Sequence, residues 1–276
     1  PILTLNHITR IACIGEVMIE LVTDDRASAQ LNVAGDTYNT AVYLKRLLVD
    51  RKIEASYVPA PGLEGFSLRI LDQMASEGLS CDLVERRDER VPGLYAISTD
   101  DEGERSFTYW RSQSAARTLF HTPCEVEFQS LMRFDLVYIS GITLGILAPI
   151  IRQKLLRFLE RYRAAGGLVA FDSNFRPQLW ESHKQALQSI DDFWRACDIA
   201  LPSMDDERAL FGAETTDETF QRFASYGVTS GALKRAGEGP QLLYHTQPDE
   251  NFSSVARVVD TTAAGDSFNA GFLASL

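Results

Sequence analysis

The stretch DTTAAGDSFNAGFLA, residues 260–274, joins small side chains and a carboxylate to an apolar segment with the character of a helix. Side chains as small as those of Ala263, Ala264 and Gly265 let an anion approach backbone N–H groups. The start of a helix adds unpaired N–H groups and the positive end of its dipole. The carboxylate of Asp266 would repel a bound phosphate group. It is better suited to accept the proton of a hydroxyl group that attacks the phosphate. An ordinary helix entry capped by Asp266 is the alternative.

Outward from this stretch, apolar runs alternate with helical patterns, which predicts an α/β fold with a mostly parallel sheet covered on both faces. A helix is predicted to begin near Asp36, and another to run from Pro149 to about Ala165, where two glycines end it. Strands are predicted at residues 10–15, 56–59, 134–139, 168–171, 198–201 and 231–234.

One segment breaks the alternation. Residues 93–99 and 104–111 flank the turn-rich sequence DDEG at 100–103, which predicts an antiparallel hairpin. Together with residues 18–33 this hairpin is expected to form a small β-sheet. This sheet would be a lid formed by about residues 18–33 and 91–112. We expect residues 1–276 to form a single domain, because the sequence contains no clear linker or repeat.

Composition limits the partners. The 276 residues carry 27 Lys+Arg against 38 Asp+Glu, a formal net charge of −11, which argues against nucleic acid and anionic lipid as partners. No apolar stretch reaches the roughly 20 residues that span a bilayer, and the N-terminus lacks a secretion signal, so a cytoplasmic location is expected. The four cysteines are far apart and the four histidines show no ligand spacing, so we assign them no disulfide, metal or catalytic role.

The predicted substrate side begins at residues 34–39, AGDTYN, before the first long helix. Gly35, Asp36 and Asn39 place short polar groups at the carboxyl end of a strand, where ligands bind in open parallel sheets. Asp36 as a simple N-cap is the alternative.

Two arginines offer positive charge for an anionic substrate. On the second hairpin strand Tyr109 and Arg111 face the same side, so an aromatic ring could cover a sugar while a guanidinium binds a carboxylate. Asn174 and Arg176 lie in a loop at the end of another buried strand. A solvated surface position for Arg111, and a local salt bridge for Arg176, are the alternatives.

The nucleotide side carries weaker signals. No P-loop motif occurs. Lys234, Gly237 and Gly239 could supply a charge and backbone amides near a triphosphate, although a hairpin turn leading to residues 241–245 explains them equally well. The acids of residues 203–207 could serve a hydrated Mg²⁺ or merely cap a helix.

These blocks resemble the ribokinase-like (PfkB) sugar kinases over nearly the whole chain. The final block is similar to the family signature D-T-x-G-A-G-D, with Ala263 in place of its first glycine. The other blocks that carry the resemblance are GEVMIEL (15–21), GDTYNTAVYL (35–44), PGLY (92–95), GERSFTYWR (103–111) and DSNFRP (172–177). The YWR at 109–111 and the NFRP at 174–177 favour the keto-acid subgroup over ribokinase or fructokinase. The resemblance implies a ribokinase-like three-layer αβα domain with a β-sheet lid. It also implies phosphorylation of 2-keto-3-deoxygluconate at its 6-hydroxyl group, with ATP and Mg²⁺.

The resemblance also implies roles for residues. Asp266 is the base for the 6-hydroxyl group, and the amides of residues 263 to 265 form an anion hole. Lys234, Gly237 and Gly239 lie near ATP, and no metal ligand is assigned. The substrate-binding residues are Gly35, Asp36, Asn39, Tyr95, Tyr109, Arg111, Asn174 and Arg176.

Several departures from the family pattern keep alternatives open. Ala34 and Ala236 replace frequent glycines, and residues 203–206, SMDD, stand where an N-x-x-E motif is common. The family continues past the helix that follows the signature, so the chain is expected to be truncated at Leu276. A fructokinase- or ribokinase-like sugar kinase, and a non-catalytic sugar-acid-binding homologue, are the alternatives. A homo-oligomer that pairs exposed lid edges is a further expectation.

Overall fold

The computed structural model describes residues 8–23, 28–99, 105–228, 230–244, 252 and 261–276. The strands are β1 (Arg10–Ile14), β2 (Met18–Thr23), β3 (Ala29–Ala34), β4 (Glu54–Val58), β5 (Leu94–Thr99), β6 (Arg105–Trp110), β7 (Leu136–Ser140), β8 (Leu168–Asp172), β9 (Ile199–Ala200), β10 (Ser230–Leu233) and β11 (Gln241–Leu242). The helices are α1 (Asp36–Leu47), α2 (Gly65–Ser76), α3 (Gly141–Ile146), α4 (Pro149–Ala164), α5 (His183–Arg195), α6 (Met204–Phe211), α7 (Thr216–Tyr226) and α8 (Ala264–Ser275).

Two sheets are present in the described chain. The main sheet has the strand order β11-β10-β9-β8-β7-β1-β4, and all its neighbours pair in parallel except β10 and β11. The small sheet has the order β3-β2-β5-β6, with β2 and β5 parallel and its two outer pairs antiparallel. The predicted α/β fold with a mostly parallel sheet is therefore confirmed.

The main sheet has an apolar core on each face. Successive side chains of a strand point to opposite faces, so Ala12 and Ile14 of β1 join one buried cluster while Ile11 and Cys13 join the other. Helices α4 and α5 cover the first face, and α1 and α8 cover the second. This arrangement explains why the strands are apolar over consecutive residues and do not alternate with polar ones.

The predicted elements agree closely with the observed ones. The helix expected from Pro149 ends at Ala164, and Gly166 follows in the left-handed region with φ of 97°. Strand β9 covers only two residues of the predicted 198–201. The hairpin of β5 and β6 is antiparallel as predicted, while its expected turn at 100–103 lies outside the described residues, as does Asp260 of the signature.

The topology determines where a site can form. Strands β1, β7, β8, β9 and β10 all point in one direction, so the loops that follow them lie at one edge of the main sheet. The small sheet contributes Met18, Tyr95 and Tyr109 to a cavity at this edge. The loop entering α8 lines the same cavity.

Candidate active site

A cavity of about 800 Å³ lies between the carboxyl edge of the main sheet and the small sheet. This volume is in the range of pockets that enclose small-molecule ligands. Gly237 and Gly239 are outside its lining. The predicted site residues that line it are Gly35, Asp36, Asn39, Tyr95, Tyr109, Arg111, Asn174, Arg176, Lys234, Ala263, Ala264, Gly265 and Asp266.

Asp266 lies in the first turn of α8, with only 9% of its surface exposed. Burial raises the pKa of its carboxyl group to about 7, and the nearby charge of Asp36 adds to the rise. A hydrogen bond of 2.9 Å from Asn39 Nδ2 to Oδ2 opposes it. A carboxylate that titrates near neutral pH can take up a proton in a reaction and release it afterwards.

The turn before α8 leaves backbone donors unpaired. Ala263 occupies the N-cap in the left-handed region, with φ of 59°. The amide of Ala264 donates to the carbonyl oxygen of Thr261 (3.1 Å), and the amide of Ser267 donates to that of Ala263 (2.9 Å). The amides of Gly265 and Asp266, which lie between, have no partner in the described chain. Of the predicted anion-hole residues, Ala264 thus already uses its amide inside the protein.

Asp36 does not cap α1. The N-cap is Gly35, which makes no side-chain hydrogen bond, and Asp36 is the first residue of the helix. Its carboxylate accepts hydrogen bonds from Ser140 Oγ and from Asn174 Nδ2, the latter at 2.9 Å. Burial raises the pKa of Asp36. The N-cap alternative is therefore wrong, and the residue belongs to a polar cluster at the cavity wall.

Lys234 belongs to a hydrogen-bond network that its sequence context does not predict. Its Nζ donates to Asp172 Oδ2 (2.8 Å) and to Asn269 Oδ1 (3.1 Å). The Asn269 amide in turn donates to Asp172 Oδ2 (2.6 Å) and to the hydroxyl group of Tyr138 (3.0 Å). Gly265 lies beside Nζ, because a Cβ built on it would be 4.0 Å from that nitrogen. The network thus places a cation next to the unpaired amides.

The small sheet supplies an aromatic wall. Tyr95 and Tyr109 lie opposite each other on β5 and β6, with ring centroids 5.5 Å apart, and Phe107 extends the stack. The hydroxyl group of Tyr95 donates to Glu20 on the neighbouring strand β2. Tyr109 is half exposed, so its ring is available to cover a ligand.

Arg111 is buried, with 9% of its surface exposed, so the alternative of a solvated surface arginine is wrong. Its Nη2 forms an ion pair with Glu16, which lies in the loop after β1. Its Cζ is 5.8 Å from the centre of the Tyr109 ring, and the side chain lines the cavity. A guanidinium held in this way presents a fixed positive charge.

Arg176 keeps both of its interpretations. Its side chain is 51% exposed and lines the cavity, and Nη1 is 3.9 Å from Asp206 Oδ1, as the salt-bridge alternative predicts. Ser203 caps α6 by accepting from the amide of Asp206 (3.2 Å), and burial raises the pKa of the Asp206 carboxyl group. Asp205 lines the cavity as well. Helix capping therefore explains the position of Ser203. It does not explain why Asp205 and Asp206 both line the cavity.

Gly237 and Gly239 lie in the turn between β10 and β11, which pair antiparallel. The hairpin-turn alternative is therefore confirmed for this segment. Their predicted position near ATP stays a prediction.

Among the polar residues at the site that carry no predicted role are Glu16, Ser140, Asp172 and Asn269. Glu16 belongs to a block that resembles the family, and Asn269 follows Asp266 by one helical turn, which is the signal that could have identified it. No pattern distinguishes Ser140 from an ordinary strand end. Within the described residues, no group of three or more His, Cys, Asp or Glu side chains has the arrangement of a metal site. None of the described helices has the length and apolar character needed to cross a membrane.

The model of the pfkB family carbohydrate kinases matches residues 8–276. The chain belongs to this family. Two similar proteins are each named 2-dehydro-3-deoxygluconokinase. The protein from Dickeya dadantii (strain 3937) is 41% identical over 270 residues, which cover 95% of this chain and 86% of the relative. The protein from Escherichia coli (strain K12) is 39% identical over 270 residues, which cover 96% and 87%.

Solved structures support the same pfkB fold. A fructokinase with bound ATP from Xylella fastidiosa matches with a TM-score of 0.82 at 23% identity, over 97% of this chain and 81% of that one. A structure from Escherichia coli in complex with ATP and Mg²⁺ matches with a TM-score of 0.82 at 19% identity, over 97% and 85%. At such identities these matches bear on the fold alone.

Proposed function

We propose that this pfkB chain transfers the γ-phosphoryl group of ATP to the 6-hydroxyl group of 2-keto-3-deoxygluconate, giving 2-keto-3-deoxy-6-phosphogluconate. Relatives 37–41% identical carry the name of the kinase for this sugar acid, in its synonym 2-dehydro-3-deoxygluconate. One observation carries the proposal. A single cavity holds a carboxylate with a pKa of about 7, at Asp266, and a buried arginine, Arg111, that can select an acid.

The proposed base is Asp266. Its carboxylate removes the proton of the 6-hydroxyl group while that oxygen attacks the γ-phosphorus, and the bond to the bridging oxygen of the leaving ADP breaks. The unpaired amides of Gly265 and Asp266 stabilise the charge on the transferred group, and Lys234 adds a positive charge beside them. Asn39 keeps the carboxylate oriented through its hydrogen bond.

The proposed sugar site is the part of the cavity that the start of α1 and the small sheet line, next to Asp266. Arg111 binds the carboxylate of the substrate, with Arg176 as a second, more exposed cation. Tyr95 and Tyr109 cover the sugar acid from the small sheet, as aromatic rings do for apolar sugar faces. Hydroxyl groups of the substrate bind at the part of the cavity wall formed by Gly35, Asp36, Asn39 and Asn174.

ATP and Mg²⁺ complete the proposal. Asp205 and Asp206 lie in the first turn of α6 and line the cavity, and oxygen ligands of this kind fit a hydrated Mg²⁺ one water layer away. When bound, Mg²⁺ neutralises charge on the phosphate oxygens. We place Gly237 and Gly239 near ATP, outside the cavity lining. For ATP itself, support comes from the membership of this chain in a family of carbohydrate kinases.

The remaining parts of the proposal concern the whole molecule. We propose that both sheets act as one kinase domain, with the small sheet as its lid. Strand β6 is an outer strand of that sheet and all six of its residues are exposed, which supports pairing with a second copy of the chain. All four cysteines are free thiols, which supports a reducing, cytoplasmic location.

An ATP-coupled assay tests the proposal with 2-keto-3-deoxygluconate, fructose and ribose as acceptors. We expect the highest kcat/KM with the sugar acid. Preference for fructose would favour the second candidate function, that of a fructokinase. This candidate is supported by a fructokinase from Salmonella typhimurium that is 26% identical over 273 residues. Calorimetric heat with the sugar acid but none with a non-hydrolysable ATP analogue would identify a non-catalytic binding protein.

A further inference from the structure

Glu16 is a buried carboxylate without a role in the proposed phosphoryl transfer. It lies in the loop between β1 and β2 with 1% of its surface exposed, and its Oε2 forms the ion pair with Arg111 Nη2. Its Oε1 is buried without a hydrogen-bond partner. A buried charge is costly to maintain unless it is paired, and an unsatisfied buried oxygen adds to that cost.

The position of Glu16 is as informative as its burial. The described chain passes between the two sheets at four places: residues 15–17, 34–35, 92–94 and 110–111. Glu16 lies in the first. It also reaches the other three, because its carbonyl oxygen packs on Gly35, its Oε1 on Gly93 and its Oε2 on Arg111. A Cβ on Gly93 would be only 2.7 Å from that Oε1.

The nitrogens of Arg111 are used unequally. Nη2 binds Glu16, and Nε is buried without a partner. Nη1 has no hydrogen bond in the described chain, yet it is not among the buried, unsatisfied atoms, while the side chain lines the cavity. Nη1 is therefore the nitrogen left for a ligand. Its direction depends on Glu16, since in the described chain that ion pair is the hydrogen-bonded contact of the guanidinium, with the Tyr109 ring 5.8 Å from Cζ as its other neighbour.

We propose that Glu16 is a positioning residue for acid recognition: it holds the Arg111 guanidinium where the chain passes between the two sheets, so that Nη1 faces the carboxylate of the substrate. This inference rests on the proposed function. A long arginine side chain released from such a contact must be ordered again by each substrate molecule, and that entropy cost weakens binding. The effect is expected on binding of the acid and not on the phosphoryl transfer.

The test compares Glu16→Gln with the wild type in the ATP-coupled assay. We expect KM for 2-keto-3-deoxygluconate to rise about 10-fold or more, while kcat at saturating acid and KM for ATP stay within about 3-fold. In an Arg111→Met background, Glu16→Gln should raise KM no further, because the group it positions is gone. A purely structural role would add its effect in both backgrounds.

Glu207→Gln is the matched control. Glu207 is also fully buried, pairs with Arg222 at 2.8 Å and has an unsatisfied Oε1, but it lies in α6 outside the cavity lining. We expect both substitutions to lower the melting temperature, and Glu207→Gln to leave KM for the acid unchanged. If Glu16→Gln does not fold, Glu16→Asp, which retracts the charge by one methylene, is measured with the same expectation.

The outcomes separate the two proposals. A wild-type enzyme that does not phosphorylate the sugar acid in preference to fructose contradicts the proposed function. A wild-type enzyme that does so, with KM unchanged by both Glu16 variants or with additive effects in the Arg111→Met background, overturns the role of Glu16 alone.

Discussion

Asn39 Nδ2 donates a hydrogen bond of 2.9 Å to Oδ2 of Asp266, joining α1 to α8 across 227 positions of the chain. The bond stabilises the charged form of a carboxyl group whose pKa burial raises to about 7. Burial and the charge of Asp36 both raise the pKa of Asp266, and the hydrogen bond from Asn39 lowers it. Asn39 thus lies in the sugar site and also tunes the proposed base.

The pH dependence of the reaction should report the ionisation of Asp266. Because only the carboxylate can accept a proton, kcat/KM with the sugar acid is expected to fall below pH 7, approaching a tenfold loss per pH unit. Initial rates between pH 5.5 and 9 measure this profile. A flat profile down to pH 5.5 would contradict the assignment of Asp266 as base.

Asn39→Ala should move that acidic limb to higher pH. Removing the donor favours the protonated carboxyl group, so the apparent pKa is expected to rise by roughly 1 unit. The measured quantity is the pH at the midpoint of the acidic limb. Loss of a sugar contact lowers kcat/KM at every pH and does not move that midpoint. A limb that stays in place would assign it to another group, such as Asp36, whose pKa is also raised.

Asp266→Asn should lose activity and gain stability. General base catalysis is worth about 10²- to 10⁴-fold, so kcat is expected to fall by that factor. The folded-state pKa of Asp266 lies above its unfolded value, so its ionisation destabilises the fold as pH rises from about 4 to 7. At pH 8 the variant should be more stable by on the order of 1–3 kcal/mol, with little difference at pH 4.

Urea unfolding of both proteins at the two pH values measures this difference. Equal gains at pH 4 and pH 8 would show that the effect does not come from the ionisation of residue 266.

The order of elements is predictable from the sequence because each buried parallel strand appears as a short, continuous apolar run. Residues 136–139 and 168–171 are apolar on both faces, and they form most of the central strands β7 and β8. The hairpin of the small sheet is equally local, since a turn-rich segment separates two β-rich runs. The loops at one edge of the sheet then follow from the parallel direction of the strands.

The contacts inside the site were less predictable because they join distant residues of ordinary appearance. Asp172 meets Asn269 across 97 positions, and Glu16 meets Arg111 across 95. Nothing local distinguishes Arg111 from a solvated arginine; only the buried carboxylate of Glu16 does. Asp36 fits both a cap and a ligand by residue type, and the positions of Ser140 and Asn174 decide between them.

Lys234→Met tests the cation beside the unpaired amides. The substitution leaves the buried carboxylate of Asp172 without its ion pair, which is expected to cost about 3–5 kcal/mol. Asp172→Asn in the same chain removes that unpaired charge and should restore much of the stability. Activity should remain at least 10-fold reduced in both variants, because the charge near the phosphate is absent.

Urea midpoints and kcat for the single and double variants make this comparison. Full recovery of kcat in the double variant would mean that Lys234 acts only by stabilising Asp172.

Gly35→Ala should damage the site through packing alone. A Cβ at this position would overlap the carbonyl oxygen of Glu16, which is backbone and has no flexible end to move away. Gly35 is the N-cap of α1, so the shift would displace Asp36 and Asn39 together. We expect a loss of about 1–3 kcal/mol in unfolding free energy and a rise in KM for the sugar acid.

Gly271→Ala is the control, because a Cβ built on that helical glycine would have no atom within 4 Å. It should stabilise the chain by about 0.5–1 kcal/mol, since alanine loses less conformational entropy than glycine in a helix. Equal effects of the two substitutions would show that the close approach of Glu16 to Gly35 does not constrain the site.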